Sequence, residues 1–112
     1  MASGDVVPKR LGGPTQVSVS ATPTTLFTVP TGQQYTIKQI VICNTDGVDR
    51  TITIGIGGVT AALASIYLLP ISFFDTIVMD TGLVLEAGET LRACSDTASK
   101  VTVTVTGWDR TI

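Results

Sequence analysis

Residues 43–58 read CNTDGVDRTITIGIGG, and two chemistries compete with plain structure for them. Asn44, Asp46 and Asp49 have the spacing of oxygen ligands in a calcium loop. Gly55, Gly57 and Gly58 resemble a turn that cradles phosphate. Neither frame closes. A calcium loop ends on an acidic ligand at its twelfth position, and counted from Asn44 that position is Gly55. A phosphate loop needs a Lys-Ser/Thr pair after its glycines, and GIGGVT has none. What remains is punctuation between strands. Asp46-Gly47 tolerates positive φ between two apolar runs, so it reads as a hairpin turn. Ile52, Ile54 and Ile56 alternate with Thr51, Thr53 and Gly55, so that run reads as a strand.

The same period of two extends outward in both directions. Val17 and Val19 alternate with Ser18 and Ser20; Thr25, Phe27 and Val29 alternate with Leu26 and Thr28; Val101, Val103 and Val105 alternate with Thr102, Thr104 and Thr106. Such alternation belongs to strands with one dry and one wet face. Threonine on the wet face serves β-propensity and solvation together. Within Tyr35 to Asn44 the run Ile40-Val41-Ile42-Cys43 is apolar on both faces, as in a central or outwardly covered strand. Pro70 confines Ile66 to Phe74 to an edge or bent strand. That segment concentrates Tyr67, Phe73 and Phe74, as a lid on the core or a contact surface. Turn signals recur at Thr31-Gly32, Asp46-Gly47, Gly57-Gly58, Ala87-Gly88 and 96–99. About eight short strands result, and the expected fold is all-β: an antiparallel two-layer β-sandwich, jelly-roll-like, over residues 15–112. No helix is demanded, although Val59 to Ser65 has room for one turn or a loop.

Residues 1–14 differ. Gly4, Pro8, Gly12, Gly13 and Pro14 prevent a helix or a central strand there. The expectation is an extended N-terminal arm carrying Val6, Val7 and Leu11 with the basic pair Lys9-Arg10, held by a neighbouring subunit.

Composition narrows the function classes. A chain of 112 residues makes one domain, burying about 65% of its unfolded surface. Only 14% of residues are charged against 44% hydrophobic. That is a sparse charge for a small domain, and contact with other protein over part of the surface resolves it. A net charge of −2 gives no electrostatic case for nucleic acid. No apolar run approaches the roughly 20 residues of a membrane helix, since Ser65, Pro70 and Ser72 break 61–74. The N-terminus lacks the apolar core of a secretion signal. Cys43 and Cys94 are therefore expected as free, partly buried thiols. The chain has no histidine, which removes Ser-His-Asp and Cys-His catalysis and the usual zinc ligand. No enzyme, metal or cofactor is indicated. Asp75, Asp80, Glu86 and Glu89 read as solvated turn residues rather than a glycosidase pair. Trp108, closing a Val/Thr strand, reads as a core plug or an interface anchor.

The order of the pieces carries a resemblance. Phe27-Thr28-Val29-Pro30-Thr31-Gly32 leads into a long apolar strand ending Cys43-Asn44-Thr45. Leu85-Glu86-Ala87-Gly88-Glu89-Thr90-Leu91 then precedes the final Val/Thr strand. This pattern, over most of the chain except roughly 57–76, resembles small β-sandwich virion structural proteins of tailed bacteriophages. The resemblance implies a structural role on the particle and brings no catalytic residues with it. The expectation drawn is a capsid decoration (cement) protein, assembled in the bacterial cytoplasm. It would be homo-oligomeric, with a trimer among the options, and would bind the major capsid protein or another virion subunit. The expected contact residues are Val6, Val7, Pro8, Lys9, Arg10, Leu11, Tyr67, Phe73, Phe74 and Trp108. A tail, baseplate or head-fibre component is the nearest rival. A carbohydrate-binding module would instead use Trp108, Tyr35 and Tyr67 as an aromatic platform.

Overall fold

The alternating valines and threonines of 101–106 pair with residues 39–44, the apolar run of the long fourth strand, and that pairing organises the chain. The computed structural model describes residues 6–19, 24–57 and 64–111, with the backbone alone over 64–67. Ten strands follow in order: β1 (Val6–Gln16), β2 (Ser18–Val19), β3 (Thr24–Thr28), β4 (Gln33–Asn44), β5 (Arg50–Ile56), β6 (Ala64–Ile71), β7 (Thr76–Asp80), β8 (Val84–Leu85), β9 (Thr90–Ser95) and β10 (Val101–Thr111). No helix occurs among the described residues. The first sheet runs β1-β10-β4-β7, with β8 also on β4; the second runs β2-β9-β5-β6, with β3 also on β9. The architecture is a jelly-roll-like β-sandwich.

The dry faces meet between the sheets. Ile37, Ile40 and Ile42 of β4 and Val101, Val103 and Val105 of β10 face Ile52 and Ile54 of β5 and Leu91 and Ala93 of β9, all fully buried. Burying one such side chain contributes about 1.5–3 kcal/mol, so this set is the main source of stability. Threonines 102, 104 and 106 take the outer positions and are half-buried.

Four expectations need correction. There are ten strands rather than about eight, counting the two-residue strands β2 and β8. One pairing is parallel, β2 on β9. Asp46-Gly47 does not close a hairpin: β4 and β5 lie in different sheets, so the turn is a corner that carries the chain across the core. Both flanking runs are apolar on one face, and that requirement is met as well by facing each other across a core as by pairing side by side. Finally, from Val6 onward the expected arm is an edge strand. It pairs antiparallel with β10 of the same chain, from Val6 opposite Arg110 to Gln16 opposite Thr102. Pro8 is tolerated because an edge strand needs donors on one side only. The register shifts around Gly12, and Gly13 lies at φ 82°. Val59 to Leu63 lie outside the described residues, whereas Ala64 and Ser65 open β6.

A second irregularity shapes the outer face. Thr106 pairs with Gln39 and Gly107 with Ile37, which leaves Lys38 as the extra residue of a β-bulge. A Cβ on Gly107 would collide with the backbone carbonyl oxygen of Thr36. Gly82, by contrast, has no other atom within 4 Å of where its Cβ would lie. Gly107→Ala should therefore lower unfolding free energy by about 1–3 kcal/mol, the range for overpacking. Gly82→Ala should stay within about 0.5 kcal/mol of the parent. Urea unfolding followed by Trp108 fluorescence measures both.

Candidate functional site

Two inter-sheet corners meet at one end of the sandwich. Residues 45–49 lead from β4 to β5, and residues 72–75 lead from β6 back to β7. Asn44, the last residue of β4, is fully buried between them. Its Nδ2 donates to the carbonyl oxygens of Val48 at 3.0 Å, Ile71 at 3.1 Å and Ser72 at 3.2 Å. Its Oδ1 accepts from the Asp46 amide at 3.0 Å, and its own amide donates to the Asp75 carbonyl at 2.9 Å. One amide side chain thus bonds backbone groups of both corners, the Ile71 carbonyl in a buried contact and the others in part-buried ones.

Asp46 and Asp49 complete the joint. The Asp46 carboxylate accepts from the Gly47 amide at 2.8 Å and from Arg50 Nε and Nη2 at 3.0 and 2.6 Å. The Arg50 guanidinium holds the Asp46 carboxyl below its usual range. The Asp46 carbonyl accepts from the Phe74 amide at 3.1 Å, and Asp49 Oδ1 accepts from the Phe73 amide at 2.9 Å. The three residues whose spacing suggested calcium ligation therefore tie one corner to the other. Among the described residues no group of three or more acidic or cysteine side chains is placed to hold a metal ion.

What this joint holds out is apolar. Phe73 is 59% exposed and Phe74 71%. Their rings meet edge-on, with centroids 6.3 Å apart and planes at 80°. Phe74 has φ 53°, a left-handed conformation that is unusual for a bulky residue and costs on the order of 1–3 kcal/mol. Its ring lies over Gly47, where a Cβ would come within 3.6 Å. Val48 beside it is 55% exposed. The aromatic corner is thus exposed, backbone-strained at Phe74 and tied by hydrogen bonds to the neighbouring corner.

The other expected contact residues are dispersed. Val6, Val7, Pro8 and Arg10 are exposed on β1. Lys9 is instead taken up within the chain: its Nζ lies 3.2 Å from Asp109 Oδ2 and 5.4 Å from the centre of the Tyr35 ring. The hydrogen bond to buried Asp109 raises the Lys9 pKa above its usual value. Gln33, with its amide nitrogen assigned toward Asp109, donates to the same carboxylate at 2.6 and 2.8 Å. Leu11 is buried in the chain's own core, where it supports β1 and offers nothing to a partner. Trp108 is half-buried on the outer face of the first sheet, with Lys38 Nζ 5.2 Å from its ring centre. Lys38, Asp80, Thr81, Gly82 and Trp108 line an open groove of about 470 Å³. Tyr67 lies opposite Ile54 in β6, and its side chain is outside the described residues. Tyr35 is buried against Phe27, with ring centroids 5.3 Å apart. The structure therefore joins Phe73 and Phe74 with Val48, which sequence reasoning missed. Asn44 and Asp46 had stood out in the sequence, but for the wrong chemistry.

Cys43 and Cys94 are free thiols. Cys43 lies opposite Thr102 and Cys94 opposite Thr53, on the outward positions of different sheets. Sheets pack about 10 Å apart, beyond the span of a disulfide.

No family model matches the chain, and no curated protein does. Among solved structures, one from Bacillus endospore appendages, described as disulfide-linked pili, aligns at TM-score 0.58 and 11% identity, covering 99% of this chain and 92% of that one. A structure of infectious bursal disease virus, Gx strain, aligns at TM-score 0.49 and 10% identity over 94% of this chain and 31% of that one. A pentameric capsid protein from metagenomic phage sequences aligns at TM-score 0.29 and 20% identity, over 96% and 60%. At such identities the first likeness is one of fold: a β-sandwich also found in the subunits of a pilus.

Two outcomes check the joint. Asn44→Ala should destabilise the protein by about 1–3 kcal/mol, because buried carbonyls lose their donor; differential scanning calorimetry would register it. The pH dependence has a definite sign. Asp46 has a folded pKa below its ordinary value of 3.8, so its stabilising effect is present above that pH and disappears as pH falls through the folded value. The amide resonance of Phe74, which donates to the Asp46 carbonyl, should therefore shift in acid below about pH 3.8, and Asp46→Asn should abolish that step.

Proposed function

We propose that this protein is a structural subunit of a virus particle, a capsid decoration (cement) protein that binds and stabilises the assembled head of a tailed phage. The observation that carries the reading is the aromatic corner: Phe73 and Phe74, exposed, with backbone amides tied to Asp46 and Asp49. Burial of an aromatic side chain on a partner contributes about 1.5–3 kcal/mol, and a pre-ordered corner pays little entropy on docking. The sparse surface charge supports the same reading, as does a sequence pattern resembling phage virion proteins. The mechanism is mass action. A subunit that binds only the assembled shell shifts the balance toward it, and symmetric repetition turns a modest contact into a large total.

The carbohydrate-binding alternative loses its platform, since Tyr35 is buried and Lys38 covers the Trp108 ring. The groove there is open, and Lys38 and Asp80 both line it.

Binding to purified shells, followed by co-sedimentation, tests the reading. The double variant Phe73→Ser/Phe74→Ser should bind at least about a hundredfold more weakly with an unchanged unfolding midpoint. Undiminished occupancy by that variant would contradict the role given to the corner.

A further inference from the structure

We infer that copies of this chain associate edge to edge and head to tail, the β1 edge of one copy against the β7 edge of the next. The inference rests on the reading of the chain as a multi-copy structural subunit and adds the surfaces by which it meets its own kind. β1 and β7 are the opposite edges of the first sheet. Each presents a short row of side chains on the same outer face. On β1 these are Val6, Pro8 and Arg10, opposite Arg110, Trp108 and Thr106. On β7 they are Thr76, Val78 and Asp80, opposite Cys43, Val41 and Gln39. The alternate partners in β10 and β4, such as Val105, Gly107, Ile40 and Ile42, are the buried ones, which sets the face of each row.

The two edges are complementary in charge. Arg10 and Arg110 are exposed and have no ion-pair partner among the described residues; the ion pairs there join Lys9 to Asp109 and Arg50 to Asp46 and Asp96. At the far edge Asp75 and Asp80 are exposed acids and are equally free of ion pairs. Between the charges each edge is apolar: Val6 and Pro8 on one side, Val78, 56% exposed, on the other.

Strand direction permits the contact. β1 on β10, β10 on β4 and β4 on β7 are all antiparallel, so β7 runs opposite to β1. A second copy in the same orientation then brings its β1 antiparallel to this β7. With Pro8 set against Val78, Arg10 falls opposite Thr76 and beside Asp75, and Val6 falls opposite Asp80. Arg110, one strand inward at about 10 Å by strand spacing, extends toward that Asp80. The register places an apolar contact at the centre and an acid–base pair at either end. Pro8 has no amide hydrogen to donate, so side chains carry the contact rather than an uninterrupted ladder. Because the two surfaces differ, the contact is heterologous and builds a ring or a filament.

Sedimentation velocity on the intact chain tests this with a charge swap. The parent should self-associate, and about tenfold more weakly when roughly 0.5 M salt screens the pairs. Arg10→Glu/Arg110→Glu makes both edges acidic, and Asp75→Arg/Asp80→Arg makes both basic. Each variant alone should be monomeric, and an equimolar mixture should associate again, which also establishes that both are folded. A parent that stays monomeric at low salt, or a mixture no more associated than its components, would overturn the inference. Phe73→Ser/Phe74→Ser keeps both edges and should self-associate like the parent. If that variant is instead monomeric while the charge variants associate, the edge contact is wrong and the corner remains. If self-association follows the charges but the parent fails to bind shells, the edge inference stands and the decoration role falls.

Discussion

The isoleucines that β4 turns inward and the valines of β10 can leave water only by meeting β5 and β9 across the core. β4 and β10 in one sheet and β5 and β9 in the other turn fully buried side chains into the core, so neither sheet is stable alone. That constraint forces the chain to change sheets repeatedly, and each change is a corner. It also leaves two wet faces and four strand edges that carry whatever the protein does. With so few charged residues, much of that outer surface is threonine, short aliphatics and exposed aromatics.

Corners are expensive places for a backbone, because amides and carbonyls leave the ladders there while still partly buried. This protein meets the cost at one end with a single buried amide side chain and two aspartates. Asn44 reaches its own corner at Val48 and a distant one at Ile71 and Ser72, and Arg50 braces Asp46. The same bonds fix the amides of Phe73 and Phe74, so the groups that solve a folding problem also hold apolar rings in water. Nothing in the core requires those rings to be outside; the left-handed Phe74 makes the arrangement less favourable locally. Under the proposed role, a partner surface that covers them supplies the missing compensation.

Much of the fold was legible in the sequence, for a physical reason. Alternation in 101–106 and 51–56 reports which face of each strand is dry, and burial follows it residue by residue over 101–106 and as far as Ile54 in the other strand. The pairing of strands was less legible. Turn chemistry at Asp46-Gly47 is the same for a hairpin as for a corner, and only the distant strands that fill the space between decide which forms. Pro8, Gly12 and Gly13 are hostile to a sheet interior and so suggest an arm held by a neighbouring subunit, yet an edge of the chain's own sheet tolerates them. The site was half legible. Phe73 and Phe74 stood out as aromatics beside a proline. Val48 did not, and Asn44 suggested a metal ligand because its true partners lie up to 28 residues away. Lys9 and Leu11 were misread for the same reason: Asp109 and the core that claim them are remote in sequence.

The central claim is that water around the Phe73–Phe74 corner is replaced by protein on the assembled particle. Hydroxyl-radical footprinting of those two residues, on the free chain and on the chain bound to shells, examines it directly. The account predicts strong labelling of both rings in solution and near-complete protection on the particle. Equal labelling in the two states would contradict it.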